Sequence, residues 1–229
     1  MYTRLYSFIK KYNILVKNQY GFQRGKSTDF ALLDLQSKIL HAYENNLPCC
    51  TILLDFAKAF DTVNHQILLS KLEHYGIRGN ALNWLKSYLS NRQQCVQIGE
   101  SLSEFQTVKH GVPQGSILGP LLFLLYINDI VEASEKLQFL LFADDTSLFY
   151  AHKDIKVIEK VYNEELQHIS NWLCANKLSL NVKKSKVLLY RPNNRKQHSN
   201  MEENIELKID GANLEEVASA KYLGMLTTN

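Results

Sequence analysis

Residues 137–150 have the sequence LQFLLFADDTSLFY, in which two apolar runs flank an adjacent pair of acids, Asp144 and Asp145. This pattern predicts a hairpin of two apolar strands with both carboxylates at its tip. Adjacent like charges repel, and carboxylates at the ends of buried strands are costly unless a cation neutralises them. A second apolar run, Cys49–Leu54, also ends in an acid, Asp55. Two buried strands that each deliver carboxylates to one end are typical of a divalent-metal site for phosphoryl transfer.

Each acid also has an ordinary structural interpretation, because acids that follow strands often form turns or cap helices. Asp55 could cap a helix after its strand, and Asp61 and Asn64 are candidate caps for a helix that begins near His65. We therefore assign Asp61 a structural role. Taken together, the two acidic strand ends favour the palm of a polymerase over the structural interpretation.

The net charge of the 229-residue chain is +3, which is too small to establish a polyanionic partner. The distribution of charge is more informative, because basic residues cluster near the start of the chain and again beyond residue 180. Such clusters suit contact with phosphates, although a solvated surface is the more common meaning of a charge run. The clusters are Arg4, Lys10, Lys11, Lys17, Arg24 and Lys26, and Lys183, Lys184, Lys186, Arg191, Arg195 and Lys196.

The four cysteines show neither the spacing of a zinc site nor the pattern of a secreted disulfide scaffold. Cys49 and Cys50 lie in a strand-like run and are expected to be small buried side chains. We find no signal peptide, and the most apolar stretch, Leu121–Ile127, is too short to span a bilayer. We therefore expect an intracellular protein of the cytoplasm and/or nucleus with no membrane partner.

Apolar periodicity and capping residues predict a mixture of helices and short strands. Long helical stretches alternate with antiparallel strand pairs, which indicates an α+β fold with helices covering one face of a small sheet. The predicted helices follow Ser27 up to Pro48 and cover His65–Tyr75, Asn80–Leu89, Gly115–Val131 and Asp154–Ala175. The predicted strands are Cys49–Phe56, Cys95–Ile98, Phe105–Val108, the 137–150 hairpin, Val187–Tyr190, Ile205–Ile209 and Tyr222–Leu223.

Two further segments have the chemistry of a nucleotide site. At the end of the first strand, the Asp55 carboxylate and a neighbouring backbone carbonyl, that of Phe56, can share Mg²⁺ with incoming phosphates. Phe60 follows five positions later, where its ring fits either beside a bound nucleotide or in the core. The glycine- and proline-rich loop Gly111–Ser116 precedes a helix, an arrangement that favours phosphate, and Gln114 could reach a sugar or base. An ordinary turn and helix cap is the alternative for this loop.

The order of these motifs resembles the palm of reverse transcriptases, in the variant of non-LTR retrotransposons of the long-interspersed, jockey-like type. Three segments carry the palm resemblance: Leu53–Asp61, Gly111–Pro120 and Phe142–Asp145. Gln19–Gln23 with Ser27 and Thr28 resembles the fingers motif of that family. Asn181–Ser185 resembles its Asn-x-x-Lys-Thr segment, and Lys221–Gly224 resembles its primer-grip turn.

The resemblance implies a right-hand polymerase palm with an antiparallel sheet covered by helices, partial fingers and no thumb. It implies a fingers remnant over residues 1–48 and a palm over 49–229, with a helical insertion at about 64–108. Two Mg²⁺ ions, which Mn²⁺ could replace, are implied as cofactors. An RNA template, a DNA primer and dNTPs are the implied partners, and the oligomeric state stays open.

The resemblance also implies roles for individual residues. Asp55, the Phe56 carbonyl, Asp144 and Asp145 are the implied metal ligands, and Lys184 is the implied proton donor to the pyrophosphate leaving group. Phe60 is implied to exclude a ribose 2′-hydroxyl, and Gln114 and Gly115 to contact the nucleotide. The implied template and primer contacts are Arg24, Lys26, Tyr222 and Gly224.

Two other functions stay open at this point. An RNA-dependent RNA polymerase shares the paired-aspartate hairpin, but it typically places a carboxylate where Phe60 stands. A catalytically silent RNA-binding or scaffold remnant of the same fold is the second alternative. Because part of the fingers and the thumb are expected to be missing, we expect at most weak, distributive extension at low salt.

Overall fold

The structure, a computed structural model, describes residues 1–192 and 204–228. Its helices are Tyr2–Lys11 (α1), Thr28–Glu44 (α2), Ala59–Thr62 (α3), His65–His74 (α4), Gly79–Leu89 (α5), Leu118–Ile127 (α6) and Ile155–Ala175 (α7), with a 3-10 helix at Asn128–Ala133. The first strands are Cys49–Leu54 (β1), Gln93–Gln94 (β2), Gln97–Ile98 (β3), Ser101–Leu102 (β4), Gln106–Thr107 (β5), Gln138–Phe142 (β6) and Asp145–Ala151 (β7). The later strands are Lys186–Tyr190 (β8), Lys208–Ile209 (β9), Ala212–Asn213 (β10), Glu215–Glu216 (β11), Ser219–Tyr222 (β12) and Met225–Thr228 (β13).

Side-chain caps start several of these helices where the sequence predicts. The Ser27 hydroxyl accepts from the Phe30 N–H at the start of α2, and the Asp154 carboxylate accepts from the Lys156 N–H at the start of α7. Asn64 caps α4, so Asp61 is not the cap that the sequence also allowed. Each cap satisfies backbone donors that have no partner inside the helix.

Other predicted elements differ from the structure. The predicted helix Gly115–Val131 begins only at Leu118 and changes to a 3-10 helix at Asn128, and the predicted strand Ile205–Ile209 shrinks to β9. Helix α1 was not predicted, because its basic residues resemble a charge cluster while only Leu5 and Ile9, one turn apart, are buried. A helix with such a narrow apolar stripe depends on its packing for stability.

The described chain divides into two compact units, the first formed by residues 1–15 and 58–127. Nearly every side chain of α6 is buried, as expected for a helix that is apolar on all sides. Helix α4 packs against both α5 and α6. The Lys71 ammonium donates to the Tyr126 carbonyl at 2.7 Å and lies over the ring of Tyr126, which ties α4 to the end of α6. This unit is therefore organised around α6.

The second unit comprises residues 16–57 and the described part of 128–229. Its sheet has the strand order β11-β8-β1-β7-β6, in which β1 pairs antiparallel with both β7 and β8, and β6 and β7 form the predicted hairpin. Cys49 and Cys50, both buried, begin the central strand as predicted. The core of this unit thus lies around β1, and the acidic strand ends are positioned by it.

Helices cover both faces of this sheet rather than the one face that the sequence suggested. Cys49 packs in one cluster with Leu35 and Ala42 of α2. Tyr150, which pairs with Cys50, faces Tyr162 of α7, and successive strand residues point to opposite faces. The sequence of β1 is consistent with burial on both faces of the sheet, because such a strand is apolar throughout instead of alternating between apolar and polar residues.

The compact units do not follow the predicted division into fingers (1–48) and palm (49–229), since α2 packs on β6 and β7 of the same unit. As a functional division, those boundaries stay a prediction. The basic residues Arg195 and Lys196 of the second cluster lie outside the described residues. No helix in the described ranges is both long and apolar enough to cross a membrane.

Candidate active site

The strand register brings the acids of β1 and β7 to the same end of the sheet. Leu54 pairs with Thr146, so Asp55, the next residue along, comes opposite Asp145. Side chains directly opposite each other in an antiparallel pair share one face and lie close together. On the other side of β7, the hairpin closes with Phe142 paired to Asp145. Ala143 and Asp144 form its two-residue loop, and we call residues 142–145 the acidic turn.

The pKa values of Asp144 and Asp145 are raised by burial and by the charges of neighbouring carboxylates. Burial raises the pKa of Asp145 to about 6, and the charges of Asp144 and Asp55 add to that effect. Burial also raises the pKa of Asp144, with a further contribution from the charge of Asp55. Both shifts disfavour the charged form of the carboxyl group, which a nearby cation would favour.

The three side chains do not form a complete metal cage by themselves. Among residues 1–192 and 204–228, no group of three or more His, Cys, Asp or Glu side chains is placed to hold a metal ion. The metal site predicted for Asp55, Asp144 and Asp145 therefore stays a prediction. Asp144 lies in the two-residue loop, whereas Asp145 begins β7. The donors are hard carboxylate oxygens, which fit a divalent cation that draws its remaining ligands from substrate and water.

The end of β1 is held by hydrogen bonds from the segment that precedes β8. The Asp55 N–H donates to the Ser185 hydroxyl at 3.1 Å, and the Asp55 carbonyl accepts from the Asn181 N–H at 2.7 Å. Ser185 is fully buried, and its hydroxyl donates to the Asn181 carbonyl. Phe56 forms an isolated antiparallel bridge with Leu180. The hydrogen bonds of this bridge are made by the residues on either side: the Ala57 N–H donates to the Ser179 carbonyl, and the Asn181 N–H donates to the Asp55 carbonyl. The Phe56 carbonyl therefore points away from that neighbour, as its predicted role requires.

A cavity of about 510 Å³ opens beside Asp55 and Asp145. Lysines line it together with these two acids, and Thr146 lies next to them with a buried hydroxyl that has no hydrogen-bond partner among the described residues. A cavity lined by both carboxylates and ammonium groups suits a ligand that carries both phosphate and a bound cation. Its lysines are Lys183, Lys184, Lys186 and Lys221.

The lysines of this cavity are not equivalent. Lys186 pairs with Glu215 and also donates to the Lys183 carbonyl. Lys183, Lys184 and Lys221 make no ion pair with any described residue. Lys184 is exposed and shares the cavity with Asp55, which is compatible with its predicted role as a proton donor.

The predicted primer-grip segment forms the hairpin of β12 and β13. Tyr222 pairs with Met225, and the two loop residues Leu223 and Gly224 both have positive φ, +47° and +89°. This is the pattern of a type I′ turn, which favours glycine. The Tyr222 side chain is 4 % exposed, and its hydroxyl accepts a hydrogen bond from the Ser147 hydroxyl at 3.2 Å. A primer contact by this hairpin therefore falls on its loop backbone more readily than on the Tyr222 ring.

The predicted template contacts near the start of the chain have different surroundings. Arg24 is exposed. The Lys26 ammonium donates to the carbonyl oxygens of Lys17 and Gln19 and lies 4.8 Å from the centre of the Tyr20 ring. Burial lowers the pKa of Lys26. Two of its three donors thus stabilise the local loop, so Lys26 is a weaker candidate for a template phosphate than its sequence position suggested.

The predicted nucleotide-contact residues Phe60, Gln114 and Gly115 belong to the first unit. The Phe60 ring stacks on Phe123 at a centroid distance of 4.3 Å and is half-buried. The Phe60 carbonyl accepts from the Val112 N–H, and the exposed Gln114 amide donates to Asp61 at 2.7 Å. Phe60 and the 111–116 loop are therefore neighbours, and Asp61 orients Gln114. Gly115 is exposed, with a φ of +77°.

A comparison with protein families matches residues 1–226 to reverse transcriptase (RNA-dependent DNA polymerase). The chain belongs to the reverse transcriptase family. It is 30% identical to "Probable RNA-directed DNA polymerase from transposon BS" of Drosophila melanogaster, over 97% of this chain and 25% of that protein. It is also 30% identical to "Probable RNA-directed DNA polymerase from transposon X-element" of the same species, over 98% of this chain and 24% of that protein. This reverse transcriptase domain thus spans about a quarter of the length of these relatives.

Solved structures confirm the fold of the reverse transcriptase domain. Telomerase from Candida albicans, solved with a fragment of telomeric RNA, matches 99% of this chain and 35% of its own with a TM-score of 0.60 and 13% identity. Apo telomerase from Candida tropicalis matches 97% of this chain and 42% of its own with a TM-score of 0.61 and 15% identity. The predicted α+β polymerase fold is confirmed, and the family generally uses divalent metals.

Some residues that shape the site of this reverse transcriptase domain were missed by sequence reasoning. Ser185 and Asn181 lie in a recognised motif, but the motif does not indicate that they form hydrogen bonds with the backbone of Asp55. Lys221 and Thr146 line the cavity beside residues that were named. Gln19 also lies in a recognised motif, and its contacts are with the acidic turn. Hydrogen bonds between sequence-distant segments have no sequence signal of their own.

Proposed function

We propose that this domain catalyses RNA-directed DNA synthesis, in which a nucleotidyl group passes from a dNTP to a primer 3′-hydroxyl on an RNA template. The observation that supports this most strongly is the cavity lined by Asp55, Asp145 and a group of lysines. The neighbouring family members are described as RNA-directed DNA polymerases, which agrees with this chemistry. In the reaction, the primer 3′-oxygen bonds to the α-phosphorus of the dNTP, the bond between that phosphorus and the β-phosphate oxygen breaks, and pyrophosphate leaves.

The proposed cofactor is a pair of Mg²⁺ ions, with Mn²⁺ as a substitute. Asp55, Asp144, Asp145 and the Phe56 carbonyl are the proposed protein ligands, and substrate phosphates with water complete the coordination, as is usual for Mg²⁺ in polymerases. When bound, such ions stabilise the charge that develops on the attacking and leaving oxygens. Lys184 lies in the same cavity and donates its proton to the leaving pyrophosphate.

Phe60 is the proposed gate against ribonucleotides, with Gln114 and Gly115 as nucleotide contacts. Phe60→Val should relax discrimination against NTPs while affecting dNTP incorporation less, since a smaller wall admits the 2′-hydroxyl. The measurement is the ratio of kcat/KM for a dNTP and the matching NTP. The stacking of Phe60 on Phe123 makes Leu a suitable control, because Phe60→Leu keeps most of the packing volume.

Primer extension tests the function as a whole. The purified domain is incubated at low salt with an RNA template, a labelled DNA primer, Mg²⁺ and either dNTPs or NTPs. We expect extension with dNTPs that is lost in Asp55→Asn. A folded domain that binds template–primer but extends nothing would instead be a silent RNA-binding remnant, and a preference for NTPs would indicate an RNA-dependent RNA polymerase.

A further inference from the structure

The segment Asn18–Tyr20 lies along the outer edge of the hairpin that carries the acidic turn. Gln19 forms a parallel bridge with Leu141 of β6. The Leu141 N–H donates to the Asn18 carbonyl at 2.9 Å, and the Leu141 carbonyl accepts from the Tyr20 N–H at 2.7 Å. This segment therefore extends the sheet by a short additional pairing at the strand that leads into the acidic turn.

The side chain of Gln19 continues that pairing into the turn itself. Its carbonyl oxygen Oε1 accepts from the Ala143 N–H at 3.0 Å and from the Gly21 N–H at 2.8 Å. Gln19 is 1 % exposed, so both bonds are shielded from water. Because an amide nitrogen cannot accept, two converging N–H donors also fix which end of the Gln19 amide faces the turn.

Ala143 needs such support. Its φ is +56°, a conformation that residues other than glycine rarely adopt and that persists only where the surroundings enforce it. Ala143 is buried and directly precedes Asp144. Its N–H lies in the two-residue loop, beyond the last pair of the hairpin ladder, so Gln19 satisfies a buried donor at the point where the chain reverses.

Gly21 provides an independent observation. A Cβ atom added at this position would lie 2.5 Å from the Ala143 nitrogen and 3.0 Å from the Phe142 carbonyl carbon. The main chain at Gly21 thus touches the main chain of the acidic turn, and only glycine permits that approach. From the other side, the Gln23 amide and the Lys26 ammonium both donate to the Gln19 carbonyl and hold the loop in place.

We propose that Gln19 and Gly21 form a backbone clamp on Ala143 that aims Asp144 and Asp145, which makes Gln19 a positioning residue for nucleotidyl transfer. The proposal rests on the function proposed above. It gives two residues of the fingers-like motif a role at the acidic turn rather than at the template. Displacing reacting groups by about 1 Å can lower a rate by about a hundredfold. Loss of the backbone clamp can therefore lower the rate of nucleotidyl transfer.

The test compares Gln19→Met with Asn18→Ala. Met keeps the length of Gln but cannot accept the Ala143 N–H, whereas Asn18→Ala removes a hydrogen bond of 2.8 Å to the Phe139 carbonyl on the same strand and leaves the clamp intact. For each variant, kcat for dNTP incorporation, KM for template–primer, the Mg²⁺ dissociation constant and thermal stability are measured. Both variants should lose stability to a similar extent.

Only Gln19→Met should lower kcat, by more than about tenfold, and weaken Mg²⁺ binding, while the KM for template–primer stays within about twofold of wild type. Equal losses of kcat in the two variants, or an unchanged kcat and Mg²⁺ affinity in Gln19→Met, would overturn the clamp. Absence of extension by the wild type would instead overturn the proposed function, and the Mg²⁺ measurements would still test the clamp.

Should Gln19→Met fail to fold, amide hydrogen exchange of the wild-type domain gives a second test. The Ala143 and Gly21 N–H groups should both be protected, since each is buried and bonded to Gln19. Rapid exchange at Ala143 alongside protected neighbours in β6 would contradict the proposal.

Discussion

The two carboxylate-bearing strand ends, Asp55 after β1 and the acidic turn between β6 and β7, are built differently. At the end of β1, the Asp55 backbone is bonded on both its N–H and its carbonyl by residues of 181–185, and the strand continues regularly up to it. At the acidic turn, Ala143 has a positive φ, and burial together with the charges of Asp144 and Asp55 raises the pKa of Asp145. The first end is stabilised by backbone bonding, whereas the second carries strain and uncompensated charge. The electrostatic cost of the site is thus concentrated at the acidic turn.

The largest expected effect is common to both ends. Asp144→Asn and Asp55→Asn should each reduce dNTP incorporation by about a hundredfold or more, because a neutral amide replaces a charged oxygen donor worth several kcal/mol in the transition state. Single-turnover primer extension measures this. Asp29→Asn, which removes an exposed carboxylate from the first turn of α2, is the control for the change in net charge. Full activity in Asp144→Asn would contradict the assignment of the acidic turn to catalysis.

The second prediction tests the bonding at the end of β1. Ser185→Ala should lower the free energy of unfolding by about 1–3 kcal/mol, since it leaves the Asp55 N–H without its buried acceptor. Urea denaturation measures the loss. Ser185→Thr keeps the hydroxyl and should retain more of the stability. If the Ala variant were as stable as wild type, the hydrogen bond to Asp55 would not anchor this strand end.

The third prediction concerns the stabilisation of the folded domain by Mg²⁺ bound between the carboxylates of the two strand ends. Mg²⁺ at ten times its dissociation constant should stabilise the wild type by about 1.4 kcal/mol, because binding to the folded state alone shifts the equilibrium. This corresponds to a rise of about 3–6 °C in the melting temperature, which calorimetry can detect. Asp55→Asn should reduce the shift. A shift of equal size in that variant would place the ion elsewhere.

The smallest expected effect separates the two ends. The pKa of Asp145 is raised to about 6 in the folded state, above the ordinary value, so between about pH 4 and pH 6 the folded state binds more protons than the unfolded state. Stability from this group is therefore lost as the pH rises through that window. Without metal, Asp145→Asn should be more stable than wild type at pH 7 by about 1 kcal/mol or less, because the residue is only partly buried and solvent screens its charge.

Melting curves at pH 4 and pH 7 check this prediction. The stability difference between Asp145→Asn and wild type should shrink at pH 4, where the wild-type carboxyl is mostly protonated. A variant that is less stable than wild type at both values would show that hydrogen bonds made by the carboxylate outweigh its repulsion by Asp144 and Asp55.

Much of this arrangement follows from the sequence. Strands β1, β6 and β7 are apolar runs of the right length, and Ser27, Asn64 and Asp154 mark helix starts by their capping chemistry. The closeness of the Asp55 and Asp144–Asp145 ends follows once two apolar strands are paired with their acids at one end. These predictions succeed because local propensity and burial agree with the final packing.

Other features depend on contacts between distant segments. The side-chain directions of Asp144 and Asp145 depend on where the loop ends and the strand begins, which the residue types do not specify. The helix predicted to end at Val131 instead changes form at Asn128, whose side chain accepts from the Val16 N–H across 112 residues of sequence. The position of Lys26 on two carbonyls likewise depends on how the 17–26 loop closes.

The segment beside β6 also has a consequence for how the molecule behaves in solution. Strand β6 is apolar and stands last in the sheet order, so its outer N–H and carbonyl groups form a template on which another chain could add. Asn18 and Tyr20 form hydrogen bonds with the Phe139 carbonyl and with the N–H and carbonyl of Leu141, so these groups are not available to another chain. A version of the domain that begins after residue 21 would keep every acid of the site but expose this edge, and we expect it to self-associate through β6.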